Sequence, residues 1–141
     1  SPAKYYFVDL RQPNARLQFR QTEKTHLMEN LIYNELRLRG LSVDVGSVTR
    51  TERNEHGNSV RRQLEVDFVC KQGYKRWYIQ SALALPTQEK VDQEVASLRS
   101  IGDSFRKIVI TGGLSPTYQN EEGIFFLNIL DFLKDENSLN L

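Results

Sequence analysis

Cysteine is nearly missing from this chain. Cys70 stands alone among 141 residues, so no intramolecular disulfide is possible and the fold must rest on its apolar core. A single thiol within an apolar stretch reads as a small buried hydrophobe and suits a reducing compartment, which makes the cytoplasm the expected location. An excess of one charge sign is missing too. With 19 Lys and Arg against 18 Asp and Glu, the net charge is +1, and nothing in the whole-chain field draws nucleic acid or anionic lipid. Binding to DNA would need a local basic patch. No apolar run approaches the ~20 residues of a bilayer crossing, and the first residues lack a signal-peptide layout, so no membrane association is expected. Gly112-Gly113 is followed by no Lys-Ser or Lys-Thr and reads as a turn, not a phosphate loop. His26 and His56 have neither cysteine nor a second histidine at ligand spacing, which argues against zinc.

What is present fits one compact domain. Because it opens directly on the strand-like run Lys4-Tyr5-Tyr6-Phe7-Val8, the chain is expected to be a fragment of a longer protein. Residues 1–22 are expected to be a strand and linker, 23–134 the domain proper and 135–141 a polar tail. A short helical turn is expected between Pro13 and Phe19. From Thr25 to Arg39, Leu27, Met28, Leu31, Ile32, Leu36 and Leu38 recur at helical spacing, with Thr22 or Thr25 as cap and Gly40 as stop. A strand follows from Leu41 to Thr49, then an exposed hairpin loop from Glu52 to Ser59 around His56-Gly57-Asn58.

In the next strand Leu64, Val66, Phe68 and Cys70 are expected on one face, with Glu65, Asp67 and Val69 on the other. The return strand from Arg76 to Leu85 puts Gln80 and Ala82 on a shared face and ends at Pro86. Thr87 to Arg99 reads as a helix with Val91, Val95 and Leu98 inward, followed by strands at Phe105 to Thr111 and Ile124 to Leu127. Asn128 to Lys134 reads as a last, Asn- or Asp-capped helix. The order helix, strand, strand, strand, helix, strand predicts an α/β fold of the α+β kind, a mixed sheet with helices packed on it.

Three acidic or amide positions in this order suggest chemistry. Metal-dependent phosphodiester cleavage needs oxygen ligands converging on a hard cation such as Mg²⁺, usually with a lysine beside them. Two neighbouring strands and a helix can supply them, and here the short turn between strands allows Asp67 and Gln80 to meet, with Glu29 at the edge of the helix stripe. Each residue also has a plainer reading. Asp67 can be a solvent-facing strand residue, Glu29 a first-turn helix acid and Glu35 a partner for Arg39. The pairs Arg61-Arg62, Lys75-Arg76 and Arg106-Lys107 read as a basic rim or as ordinary edge charge, and Trp77 and Tyr78 as core aromatics.

The blocks Met28-Glu29-Asn30-Leu31-Ile32-Tyr33-Asn34-Glu35-Leu36, Leu64-Glu65-Val66-Asp67-Phe68-Val69 and Tyr78-Ile79-Gln80-Ser81-Ala82 resemble the three core motifs of the PD-(D/E)xK nuclease superfamily. With Lys4-Tyr5-Tyr6-Phe7-Val8-Asp9-Leu10 ahead of them, they more closely resemble the C-terminal domain of a prokaryotic AAA+-type ATPase family. The resemblance implies a restriction-endonuclease-like αβββαβ core, a preceding ATP-binding ATPase and winged-helix region, and Mg²⁺ or Mn²⁺ as cofactor. It makes Glu29 the helix acid, Asp67 the metal-binding aspartate, Gln80 the (D/E) position and Ala82 the lysine position. Two departures matter. Gln80 keeps an oxygen but loses a charge, and Ala82 leaves nothing to stabilise a charged transition state, a loss typically of about 10²–10³ in rate. Lys71 and Lys90 are alternative sources of the cation. The expected function is therefore a degenerate module that binds DNA, a protein or its own ATPase region. The alternative is an active Mg²⁺- or Mn²⁺-dependent DNA endonuclease using Glu29, Asp67 and Gln80.

Overall fold

Helix α1 spans Pro13–Leu38 in the computed structural model, which describes residues 9–141. The strand expected at Tyr5 to Val8 lies outside the described residues. Pro13 opens the helix because its fixed φ suits the first turn, where a missing N–H costs nothing. The expected turn at 13–19 and the helix from Thr25 are thus one element, which runs through the expected boundary between residues 22 and 23. Neither Thr22 nor Thr25 caps it. Their hydroxyls donate back to the carbonyls of Gln18 and Gln21 at 3.0 Å, as mid-helix threonines do. The helix stops where expected. Gly40 takes φ 80°, its N–H donates to Arg37 O, and Leu41 N–H donates to Leu36 O, closing the last turn with two buried leucines against each other.

Six strands follow: β1 (Ser42–Arg53), β2 (Ser59–Gln72), β3 (Lys75–Ala82), β4 (Arg106–Thr111), β5 (Tyr118–Gln119) and β6 (Phe125–Asn128). Helix α2 (Gln88–Arg99) lies between β3 and β4, and helix α3 (Ile129–Lys134) follows β6. The sheet order is β1-β2-β3-β4-β6-β5. Pairing is antiparallel for β1–β2, β2–β3 and β5–β6 and parallel for β3–β4 and β4–β6, so the sheet is mixed and the fold α/β. From α1 to β4 the elements keep the αβββαβ order of a restriction-endonuclease-like core. β5 carries no sequence signal, being a two-residue edge. No described helix is long and apolar enough to cross a membrane.

The two sheet faces carry separate cores. Met28, Ile32 and Leu36 of α1 pack with Phe132 of α3 on Phe68, Cys70, Ile79, Ile108 and Leu127. On the other face Val95 and Leu98 of α2 cover Val66, Val69, Tyr78, Ala82, Val109 and Phe126. Cys70 is fully enclosed, and burial pushes its thiol up to about 12, so it behaves as a hydrophobe. Caps hold the later helices, the Asn cap of α3 as expected. Thr87 Oγ1 accepts from Lys90 N–H at 3.2 Å, and Asn128 Oδ1 accepts from Leu130 N–H at 2.9 Å.

Phe68 and Cys70 therefore face α1 while Val66 faces α2, which corrects the expectation that all three share a face. A β-bulge is the cause. Val45 pairs with Phe68 and Gly46 with Val66, so Asp67 is the extra residue and the side-chain alternation flips across it.

The expected polar tail is also part of the fold. Ser138 and Leu139 are buried in a 3-10 turn, held by Arg39, whose guanidinium donates to Glu35 Oε1, Ser138 Oγ and Asp135 O, each at 2.9 Å, and to Phe132 O. The Glu35–Arg39 pair forms, but with Arg39 enclosed and stacked over Phe132 it is no ordinary surface pair. Removing one partner of a buried pair leaves the other uncompensated. Arg39→Ala is expected to cost about 3–5 kcal/mol in urea denaturation, with a loss below 1 kcal/mol arguing against this role.

Candidate functional site around Asp67

Asp67 sits where the sheet comes apart. The β2–β3 ladder runs from Gln72↔Lys75 to Phe68↔Ile79 and ends there, whereas β2 stays paired with β1 as far as Ser59. Beyond Phe68 the two strands are joined by side chains instead of ladder bonds. Asp67 N–H donates to Gln80 Oε1 at 2.7 Å, and Ser81 N–H donates to Asp67 Oδ2 at 2.8 Å. Each bond satisfies a backbone donor that the diverging strands would otherwise leave unpaired. Gln80 is then fixed from its other end, Nε2 donating to the Glu94 carbonyl of α2 at 3.4 Å.

The helix acid approaches from the opposite side. Glu29, with His26, Asn30 and Tyr33 at helical spacing on α1, faces Gly46, Glu65 and Asp67 across a cavity of about 500 Å³. The fold thus brings Glu29 and Asp67 to one cavity. Gln80 touches Asp67 but does not line that cavity, and lies on the α2 side with Ala82. Ala82 is buried in the α2-side core and paired with Thr111.

Asp67 is held up to a pKa of about 6, first by burial and then by the charges of Glu29, Glu94 and Glu65, with the Ser81 N–H acting the other way. Neither lysine raised by the sequence is free at the carboxylate. Lys90 pairs with Glu94 at 3.5 Å and Lys71 with Asp44 at 3.7 Å. Three further cavity residues, His26, Asn30 and Tyr33, were findable in the sequence from their i−3, i+1 and i+4 spacing to Glu29. Glu94 was not, because its link to Gln80 runs through a backbone carbonyl.

A Mg²⁺ or Mn²⁺ ion wants several oxygens in near-octahedral array. The residues present do not fit one. Among the described residues no group of three or more His, Cys, Asp or Glu is placed to hold an ion. Gln80 Oε1 and one oxygen of Asp67 are already engaged by backbone N–H groups.

Compared with models of known protein families, the chain matches none. An uncharacterized protein of Haemophilus influenzae is 29% identical over 133 residues, covering 93% of this chain and 28% of that protein. The chain thus corresponds to a minor part of that relative's length.

The raised Asp67 carboxyl has a consequence for stability. Its folded pKa lies above the unfolded value, so its contribution is fully present below pH 3.8 and is lost as pH rises through about 6. At neutral pH the charged carboxylate opposes folding. Asp67→Asn keeps an oxygen for Ser81 N–H and is expected to stabilise the metal-free protein by about 1–3 kcal/mol at pH 7, with the gain disappearing below about pH 4. Urea melts at the two pH values check this, and a destabilised Asn variant at pH 7 would contradict it.

Proposed function

We propose that this domain is a nuclease-fold accessory module that has lost catalysis, belongs to a longer cytoplasmic AAA+-type ATPase, and works by binding. The observation that carries the reading is the state of the two motif positions on β3. Gln80 commits its amide to Asp67 and Glu94, and Ala82 points into an apolar core. Phosphodiester cleavage requires an activated water and a counter-charge for the transition state, and these positions supply neither. The ATPase rests on the resemblance of the Lys4-to-Leu10, Glu29-Asn30 and Glu65-to-Val69 blocks. A relative much longer than the matched region fits a domain carried within a larger chain.

Incubation of the chain with supercoiled plasmid and Mn²⁺ or Mg²⁺ tests the reading. No nicking above the level of Asp67→Ala is expected. Metal-dependent cutting by the wild type that Asp67→Ala abolishes would establish an active endonuclease instead. A lysine restored at position 82 is not expected to rescue activity, because its ammonium would be buried in the α2-side apolar cluster. Ala82→Lys should cost several kcal/mol, roughly 3 or more, in thermal or urea unfolding without any gain of cleavage.

A further inference from the structure

Past the bulge, β1 and β2 leave the sheet as a two-stranded ribbon. Residues 49–53 pair with 59–63 in unbroken register, and among the described residues no other strand pairs with β2 along this stretch. The ribbon has two unlike faces. On the α2 side Arg50 donates to the Ser100 carbonyl, which anchors the ribbon to the loop after α2, while Glu52 pairs with both Arg50 and Arg62. The opposite face presents the pairs Thr49↔Gln63, Thr51↔Arg61 and Arg53↔Ser59, all exposed. These three pairs carry no carboxylate, the nearest on that face being Glu65 opposite Ser47 beside the bulge, and neither arginine among them has an ion pair among the described residues. The tip is built rather than loose, for Asn54 Oδ1 accepts the N–H groups of His56 and Asn58 at 3.0 and 2.9 Å.

The ribbon is one of two basic stretches in the chain. Residues 49–63 hold four arginines and two glutamates, leaving 15 of the 19 Lys and Arg and 16 of the 18 Asp and Glu elsewhere. The ribbon is therefore positive while the remainder of the chain sums to slightly negative, although the start of α1 is positive as well, residues 11–24 holding four Lys and Arg against one Glu. Of the other basic pairs at the sheet's opposite end, Arg76, Arg106 and Lys107 are engaged within the fold, while Lys75 is exposed. Arg76 and Arg106 stack over Phe105 and Phe125, and Lys107 is held by Asp103.

We propose that the Thr49–Arg53/Ser59–Gln63 ribbon is a duplex-DNA-binding arm, with Arg53 and Arg61 on phosphates and Thr49, Thr51 and Gln63 toward the groove. Strands about 4.8 Å apart make a ribbon that the major groove of B-form DNA, about 12 Å wide, admits. The deep, narrow major groove of A-form RNA excludes it. The inference rests on the reading of the domain as a binding module and names the partner.

Fluorescence anisotropy of the 141-residue chain with a labelled DNA duplex, and with an RNA duplex of the same sequence, tests it. Micromolar binding to DNA is expected, with Arg53→Gln/Arg61→Gln weakening it at least tenfold. The slope of log affinity against log salt should fall by about 2, near 0.9 for each phosphate that is no longer neutralised. Arg62→Gln removes a charge from the paired face and should change affinity less than threefold. No DNA binding, equal loss from Arg62→Gln, or preference for the RNA duplex would overturn the arm. Running the same samples with Mn²⁺ on a gel separates the two claims. Cleavage with binding intact refutes only the loss of catalysis, whereas absent binding without cleavage refutes only the arm.

Discussion

The exchange of hydrogen bonds between Asp67 and the Gln80-Ser81 segment is the interaction on which the rest of this structure depends. β2 must belong to a sheet on one side of Phe68 and to a free ribbon on the other. Where it parts from β3, two backbone N–H groups would lose their ladder partners, and buried unpaired donors cost about 1–3 kcal/mol each. Gln80 Oε1 and Asp67 Oδ2 take those donors. The bulge at Asp67 then turns Val66 toward α2 and Phe68 toward α1, so both faces of the sheet receive an apolar residue from one short segment.

That arrangement explains why the site has the look of a metal centre while part of its oxygen set serves the backbone. Carboxylates gather around the splayed strands, and burial, with the charges of Glu29, Glu94 and Glu65 behind it, holds the Asp67 carboxyl up to about 6. Gln80 Oε1 and one oxygen of Asp67 are engaged in holding the backbone. Gln at position 80 suits this duty better than a carboxylate would, because an amide accepts from Asp67 and donates to Glu94 at once. Ala82, the lysine position by the resemblance, faces a hydrophobic layer, which fits the proposed loss of catalysis.

The element order was legible because its signals are periodic. Helical spacing from Leu27 to Leu36, the polar tip at His56-Gly57-Asn58 and the apolar run from Ile108 to Ile110 each have one natural reading. The bulge was hidden by chemistry that does not discriminate. Val66, Phe68 and Cys70 are equally at home on either face, so their alternation looked uniform. Gly46, at φ 116° opposite the extra residue, was the one available hint, since a glycine within a strand often marks a bulge. Two errors at the ends have a common source. Thr22 and Thr25 look like caps, and Asp135-Glu136-Asn137 looks like a solvated tail, yet Pro13 and the enclosed Arg39 determine what those segments do. Of the candidate site, the nearness of Asp67 to Gln80 followed from the short turn between strands. The direction of Gln80 toward α2 did not, because it depends on a tertiary bond.

Thermal unfolding of the wild-type chain in metal-free buffer and in millimolar Mn²⁺ tests the central claim most directly, because an ion that binds the folded state at 100 times its dissociation constant adds about 2.7 kcal/mol of stability. If the oxygens of Asp67 and Gln80 are committed to backbone donors, the two melting curves coincide. A Mn²⁺-dependent rise in melting temperature that Asp67→Asn removes would contradict the account.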